Sequence, residues 1–282
     1  IPLKRVSHNP SSNPKNPKTM KLRKSLITAA SALLLSQTAF ADNTWDGGGT
    51  DGNWSTLANW GADTAPNYAN ALVFAGTTTL TTNNDATASV AAITFNSGAD
   101  PFTLNGNSVT LGGNITNNST NLQTINLPLV LSGNRTIATT SGNITLGGTI
   151  SGAFNLVKTQ GNTLTMNTAG GSFTLFQINT GTARLGVNDA LPTGAGVTFA
   201  TATTAILNLN GKTQTLGAAI TVAGTAGTVT ISDTVGGLLK LGGNVVQNVT
   251  SSPTVNISAP LDLNGATRNF QLNNSSGVVT VS

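Results

Sequence analysis

Few side chains in this 282-residue chain could do chemistry, and they fall into two groups. The first is aromatic. Trp45, Trp54 and Trp60 are the only tryptophans, and Tyr68, the only tyrosine, follows closely. Rings at this density can stack on sugars, so these four are the candidate glycan-binding residues. Buried tryptophans could equally close the open end of a repeat stack, which needs a cover for solubility. That requirement favours a cover, because a sugar site is optional. The second group is acidic. Hydrolysis of a polysaccharide needs two carboxylates roughly 5–9.5 Å apart. Asp189, Asp233 and Asp262 are the candidates, with Arg184, Lys240 and Arg268 as cationic partners. None of the three forms a doublet in sequence, and a lone aspartate in a turn is more often a turn former.

Other chemistries drop out by composition. From residue 42 onward there is no Cys, no His and no Glu; the single histidine is His8. This removes Ser-His-Asp and Cys-His catalysis, His-ligated zinc and disulfides. Asp46, Asp51 and Asn53 share a Gly-rich turn, but no glutamate exists to complete a calcium loop. Gly211-Lys212-Thr213 has Ile206 where a phosphate loop needs its first glycine. No cofactor is expected. The net charge of +4 belongs to the leader, because seven of the 13 lysines and arginines precede residue 42 with no acid among them. The remainder is slightly acidic, and a nucleic-acid partner is not expected.

The elements that must position these residues are short. Residues 1–19 are polar, hold four prolines and look like upstream, non-native leader. Residues 20–41 read as a signal peptide: Met20, then Lys21, Arg23 and Lys24, an apolar run from Leu26 to Leu35, and Ala39-Phe40-Ala41 as a cleavage pattern. That run is far below the roughly 20 residues a membrane span requires, so no transmembrane segment is expected in the mature chain. Residues 42–75 form the Trp-rich cap. Residues 76–282 form the repeats, and the final Val278-Val279-Thr280-Val281 reads as a strand cut short.

The repeats declare themselves. Val109-Thr110-Leu111-Gly112-Gly113 recurs as Ile144-Thr145-Leu146-Gly147-Gly148 and as Leu239-Lys240-Leu241-Gly242-Gly243. Leu207-Asn208-Leu209-Asn210-Gly211 recurs 54 residues later as Leu261-Asp262-Leu263-Asn264-Gly265, which suggests a longer repeat of two or more coils. Apolar residues at alternate positions make strands with one buried face. Gly and Asn tolerate the corners between them. Charged residues are 8% of the chain against about 25% in ordinary domains, yet regular alternation argues for order. The expected fold is all-β: a single-stranded parallel β-helix with coils of about 20–25 residues and Asn and Thr stacked at the corners.

Between residues 151 and 217 the sequence resembles the autotransporter-associated β-strand repeat of bacterial surface proteins. The resemblance rests on Phe154-Asn155-Leu156-Val157-Lys158, Gly161-Asn162-Thr163-Leu164-Thr165-Met166, Gly181-Thr182-Ala183-Arg184-Leu185-Gly186, Ala190-Leu191-Pro192 and Leu207 to Gly217. It implies a right-handed parallel β-helix, exported and displayed at the outer cell surface or released from it. The function so implied is structural or adhesive, with extracellular glycans or cell-surface molecules as partners. A polysaccharide lyase or hydrolase on the β-helix, and a glycan-binding module at the tryptophans, are the alternatives.

Overall fold

The fold is taken from a computed structural model, which describes residues 43–86, 88–200, 203–224, 227–248, 253–273 and 277–282. The expected leader and signal peptide lie outside the described residues. No helix among the described residues is long and apolar enough to cross a membrane.

The chain is an all-β parallel solenoid of about nine turns. Each turn lays one strand on each of up to three faces. Among the described residues the first face is an eleven-stranded sheet and the second a ten-stranded sheet. The third is interrupted: four strands from Ala88–Val90 to Ile150–Ser151, then three from Thr213–Leu216 to Leu261–Asp262. Every strand-to-strand pairing is parallel, and each strand pairs with its equivalent one turn away.

Alternation explains why these sequences stack. On the second face Leu104, Ile125, Leu146 and Met166 stand in register, all pointing inward and all buried. On the first face the inward column runs Leu72, Ile93, Ile115, Ile137, Lys158, Ile178, Phe199, Val222 and Gln247, and its last member in register, Leu272, is exposed. Two polar residues therefore interrupt an otherwise apolar column.

Corners follow a second rule. The side-chain oxygen of a corner asparagine accepts the N–H of the equivalent corner one turn later. Asn114 accepts from Thr136 at 2.9 Å, Asn134 from Asn155 at 3.0 Å, Asn143 from Thr163 at 2.9 Å and Asn244 from Asn269 at 3.1 Å. Corner N–H groups have no ladder partner, and this satisfies them. The sequence expectation was side-chain ladders of Asn and Thr at equivalent corners; these corner bonds run instead from a backbone N–H to an asparagine side chain.

The expected long repeat does not. Leu207 lies on the second face, in Ala205–Asn208, whereas Leu261 lies on the third, in Leu261–Asp262. The two copies are not structurally equivalent. The Leu-Gly-Gly motif likewise ends a strand on the third face at Val109–Leu111, on the second at Ile144–Leu146 and on the third again at Leu238–Leu241. It encodes a strand followed by a tight corner, without saying which corner. A Cβ on Gly148 would lie 2.0 Å from the Leu127 carbonyl oxygen, so the corner excludes any side chain there.

Candidate functional site

The aromatic candidates lie at the N-terminal end of the stack. Thr44–Trp45 pairs with Ala71–Phe74 as the outermost strand of the first face. The chain then crosses through two 3-10 turns, Leu57–Asn59 and Gly61–Asp63. Trp60 bridges back to Trp45, and Asn53 bridges to Asn83.

All three tryptophans are 0% exposed. Trp45 and Trp60 meet edge to face with ring centroids 5.1 Å apart, and Trp54 meets Trp60 the same way at 6.3 Å. Phe74 lies beneath all three, at 5.9–6.2 Å, and touches Phe95 and Phe102 of the next turn. The indole N–H groups are all used: Trp45 donates to the Thr79 carbonyl, Trp54 to the Thr82 hydroxyl and Trp60 to the Trp54 carbonyl. Tyr68 is only partly buried, stacks on Trp54 at 6.3 Å and donates to the Trp54 carbonyl. Burial, and then the nearby Asp85 charge, push its phenol pKa up. A ring with both faces covered cannot stack on a sugar. The glycan-platform expectation is therefore corrected for Trp45, Trp54 and Trp60. The reason is that a solenoid's first turn offers an apolar end, and these are the nearest large rings to cover it. Only the Tyr68 ring keeps an exposed part.

The carboxylates are spent on backbone. Asp233 accepts from the N–H groups of Gly211, Val235, Gly236 and Gly237 at 2.6–2.9 Å. Those four bonds outweigh desolvation and hold its pKa below the usual carboxylate range. Asp189 accepts from Thr215 and Asp262 from Asn264, both at 2.7 Å. Asp46 and Asp51 close their own turns through Gly48 and Asn53. Arg184 donates to Asn210, and Arg268 to the carbonyls of Leu241 and Leu263. Lys240 faces Asp262 across neighbouring strands. No group of three His, Cys, Asp or Glu that could hold a metal occurs among the described residues.

The unforeseen polar centre is Lys158. Its side chain is 0% exposed in the first-face column. The ammonium donates to the Thr139 hydroxyl at 2.9 Å, to the carbonyls of Thr159 at 3.1 Å and Thr180 at 3.0 Å, and to the Gln160 carbonyl. Those acceptors come from three successive turns. Gln160 has φ of 71°, a left-handed conformation uncommon for a side-chain-bearing residue. Gly181 is required beside it: a Cβ there would lie 2.7 Å from the ammonium and 2.4 Å from the Gln160 oxygen. Burial pulls the Lys158 pKa down to about 8. With no carboxylate among its hydrogen-bond partners and no exposed atom, the group serves as a hydrogen-bonding staple. The sequence showed this lysine as part of the repeat motif but not its direction. Its one signal is a cation at an alternate, inward-pointing position: Leu156 and Lys158 share a parity.

Comparison with protein-family models, with curated proteins and with solved structures gives no match for this chain.

Proposed function

We propose that this chain is an exported, surface-displayed or released β-helical rod with a structural or adhesive role, of the kind the autotransporter-associated repeat resemblance implies. One observation carries the reading: the tryptophans and most of the candidate charged side chains are bonded within the solenoid, and the outward residues of the second face from Thr81 to Asn167 are largely Thr and Asn. The buried tryptophans support a role for the N-terminal segment as an end cover. Such a rod contacts its surroundings through its faces.

The test is expression of the full chain with its own leader in a Gram-negative host, followed by fractionation and N-terminal sequencing of the product. Processing after Ala41 and recovery from the cell surface or medium is the expected result. Retention of an unprocessed chain in the cytoplasm would overturn the export reading. Binding of the purified chain to immobilised surfaces and glycans then tests adhesion, and absence of retention on any of them would leave only a structural role.

A further inference from the structure

Five successive turns of the second face carry an outward threonine, paired in four of them with an outward asparagine and in the fourth turn with Gly147. The strands read Thr81-Thr82-Asn83, Thr103-Leu104-Asn105, Thr124-Ile125-Asn126, Thr145-Leu146-Gly147 and Thr163-Leu164-Thr165-Met166, with Asn167 next. Pairing sets Thr81, Thr103, Thr124, Thr145 and Thr165 in a single row. Two residues along each strand, a second row runs Asn83, Asn105, Asn126, Gly147 and Asn167. The middle residues point inward and are buried, so both rows face solvent.

Neighbours along each row are about 4.8 Å apart, and the two rows are separated by about 6.6 Å, the rise of two strand residues. The result is a two-dimensional lattice of hydroxyls, methyls and amides. Threonine is stiff at χ1, so the row is ordered before any ligand arrives. Within the second row Asn126 donates to Asn105 at 2.8 Å, and Asn83 at its start donates to Asn53, outside the row, at 2.9 Å. The five threonine hydroxyls take no hydrogen bond from the described residues and are left to an outside partner.

The first face is an internal control. Its outward residues in register are Val73, Thr94, Thr116, Ala138 and Thr159, a mixed row. A regular lattice is therefore not something the solenoid needs for stacking. On the second face the threonine row ends where Arg184 follows Thr165.

The ligand must suit two outward rows that hold no charge and no aromatic ring. Charge complementarity points to a neutral partner, and two fixed repeats point to one that is itself periodic. Ordered water meets both conditions. It donates and accepts at every oxygen, and an ice surface repeats at spacings close to those of this array. We propose that the Thr-x-Asn face binds crystalline water, an ice surface, through residues 81–83, 103–105, 124–126, 145–147 and 165–167. This deepens the reading of a rod that works through its faces. It is tested on purified chain, so its failure is distinguishable from a failure of export.

The experiment measures ice recrystallisation and ice-crystal shape in solutions of the full chain. The comparison is with Thr124→Lys/Thr145→Lys on the second face and Thr94→Lys/Thr116→Lys on the first. Circular dichroism establishes that each variant is folded. The expected result is inhibition of recrystallisation and faceting by wild type, loss of both in the second-face variant, and retention in the first-face variant. Folded wild-type chain with no effect on ice would overturn the proposal. So would equal loss in both variants, and so would retention on crystalline cellulose or chitin without any effect on ice.

Discussion

The aromatic N-terminal end and the corner around Lys158 are equally buried and built on opposite principles. At the end, three indoles, a half-buried phenol and Phe74 remove a large apolar area from water, and each indole N–H finds one acceptor. At the corner, a single ammonium replaces an aliphatic side chain and gathers four oxygens from three turns. The end needs area because nothing lies beyond it to pair with. The corner needs donors because chain reversal leaves carbonyls pointing inward, where water cannot reach. Burial alone therefore does not reveal what a residue contributes. The end should respond to loss of volume, and the corner to loss of a donor.

The largest expected effect is at the end. Trp60→Ala should cost about 3–5 kcal/mol by urea denaturation, the usual range for deleting a buried large aromatic. Iodide should quench the tryptophan fluorescence of wild type weakly, with no change on adding polysaccharides. Strong quenching that a glycan suppresses would restore the sugar-platform reading and break the contrast.

At the corner, Lys158→Ala should cost about 2–4 kcal/mol, combining a cavity with orphaned carbonyls. Lys158→Met sharpens the comparison, because it refills the volume without the donors. If Met recovers full stability, the corner is an area site like the end.

The pH dependence follows from the lowered pKa. Folded Lys158 loses its proton near pH 8, and the unfolded chain loses it near 10.5. Below about 8 both states are charged and the difference in stability between wild type and Lys158→Met is constant. Between about 8 and 10.5 the unfolded state binds more protons, so wild-type stability should rise relative to Lys158→Met. Denaturation midpoints across that window check the sign.

The smallest effect belongs to the corner asparagines. Asn134→Ala removes one exposed bond to the Asn155 N–H and should cost about 1 kcal/mol or less, read as a small shift in the urea midpoint.

Much of the fold was legible in the residues themselves. Alternation such as Thr103-Leu104-Asn105 announces a strand with one buried face, and Gly-Gly after it announces a corner. Coil length followed from these: the first-face column advances by 20–25 residues per turn, from Ile93 to Ile115 and from Lys158 to Ile178. The candidate site was less legible. The tryptophans were visible as a cluster, but their burial depended on which turn they sat against.

By itself the sequence determined the all-β solenoid, the absence of Cys, His and Glu chemistry beyond residue 41, and the corner asparagines. All of these rest on composition and on period-two patterning, which are local. Only the tertiary structure decided register. Register placed the two Leu-x-Leu-Asn-Gly copies on different faces, gathered Thr139, Gln160 and Thr180 around Lys158, and aligned five threonines into one row. Local patterning carries strand direction and face. It carries no count of corner residues turn by turn, and it is that count which sets which residues from successive turns meet.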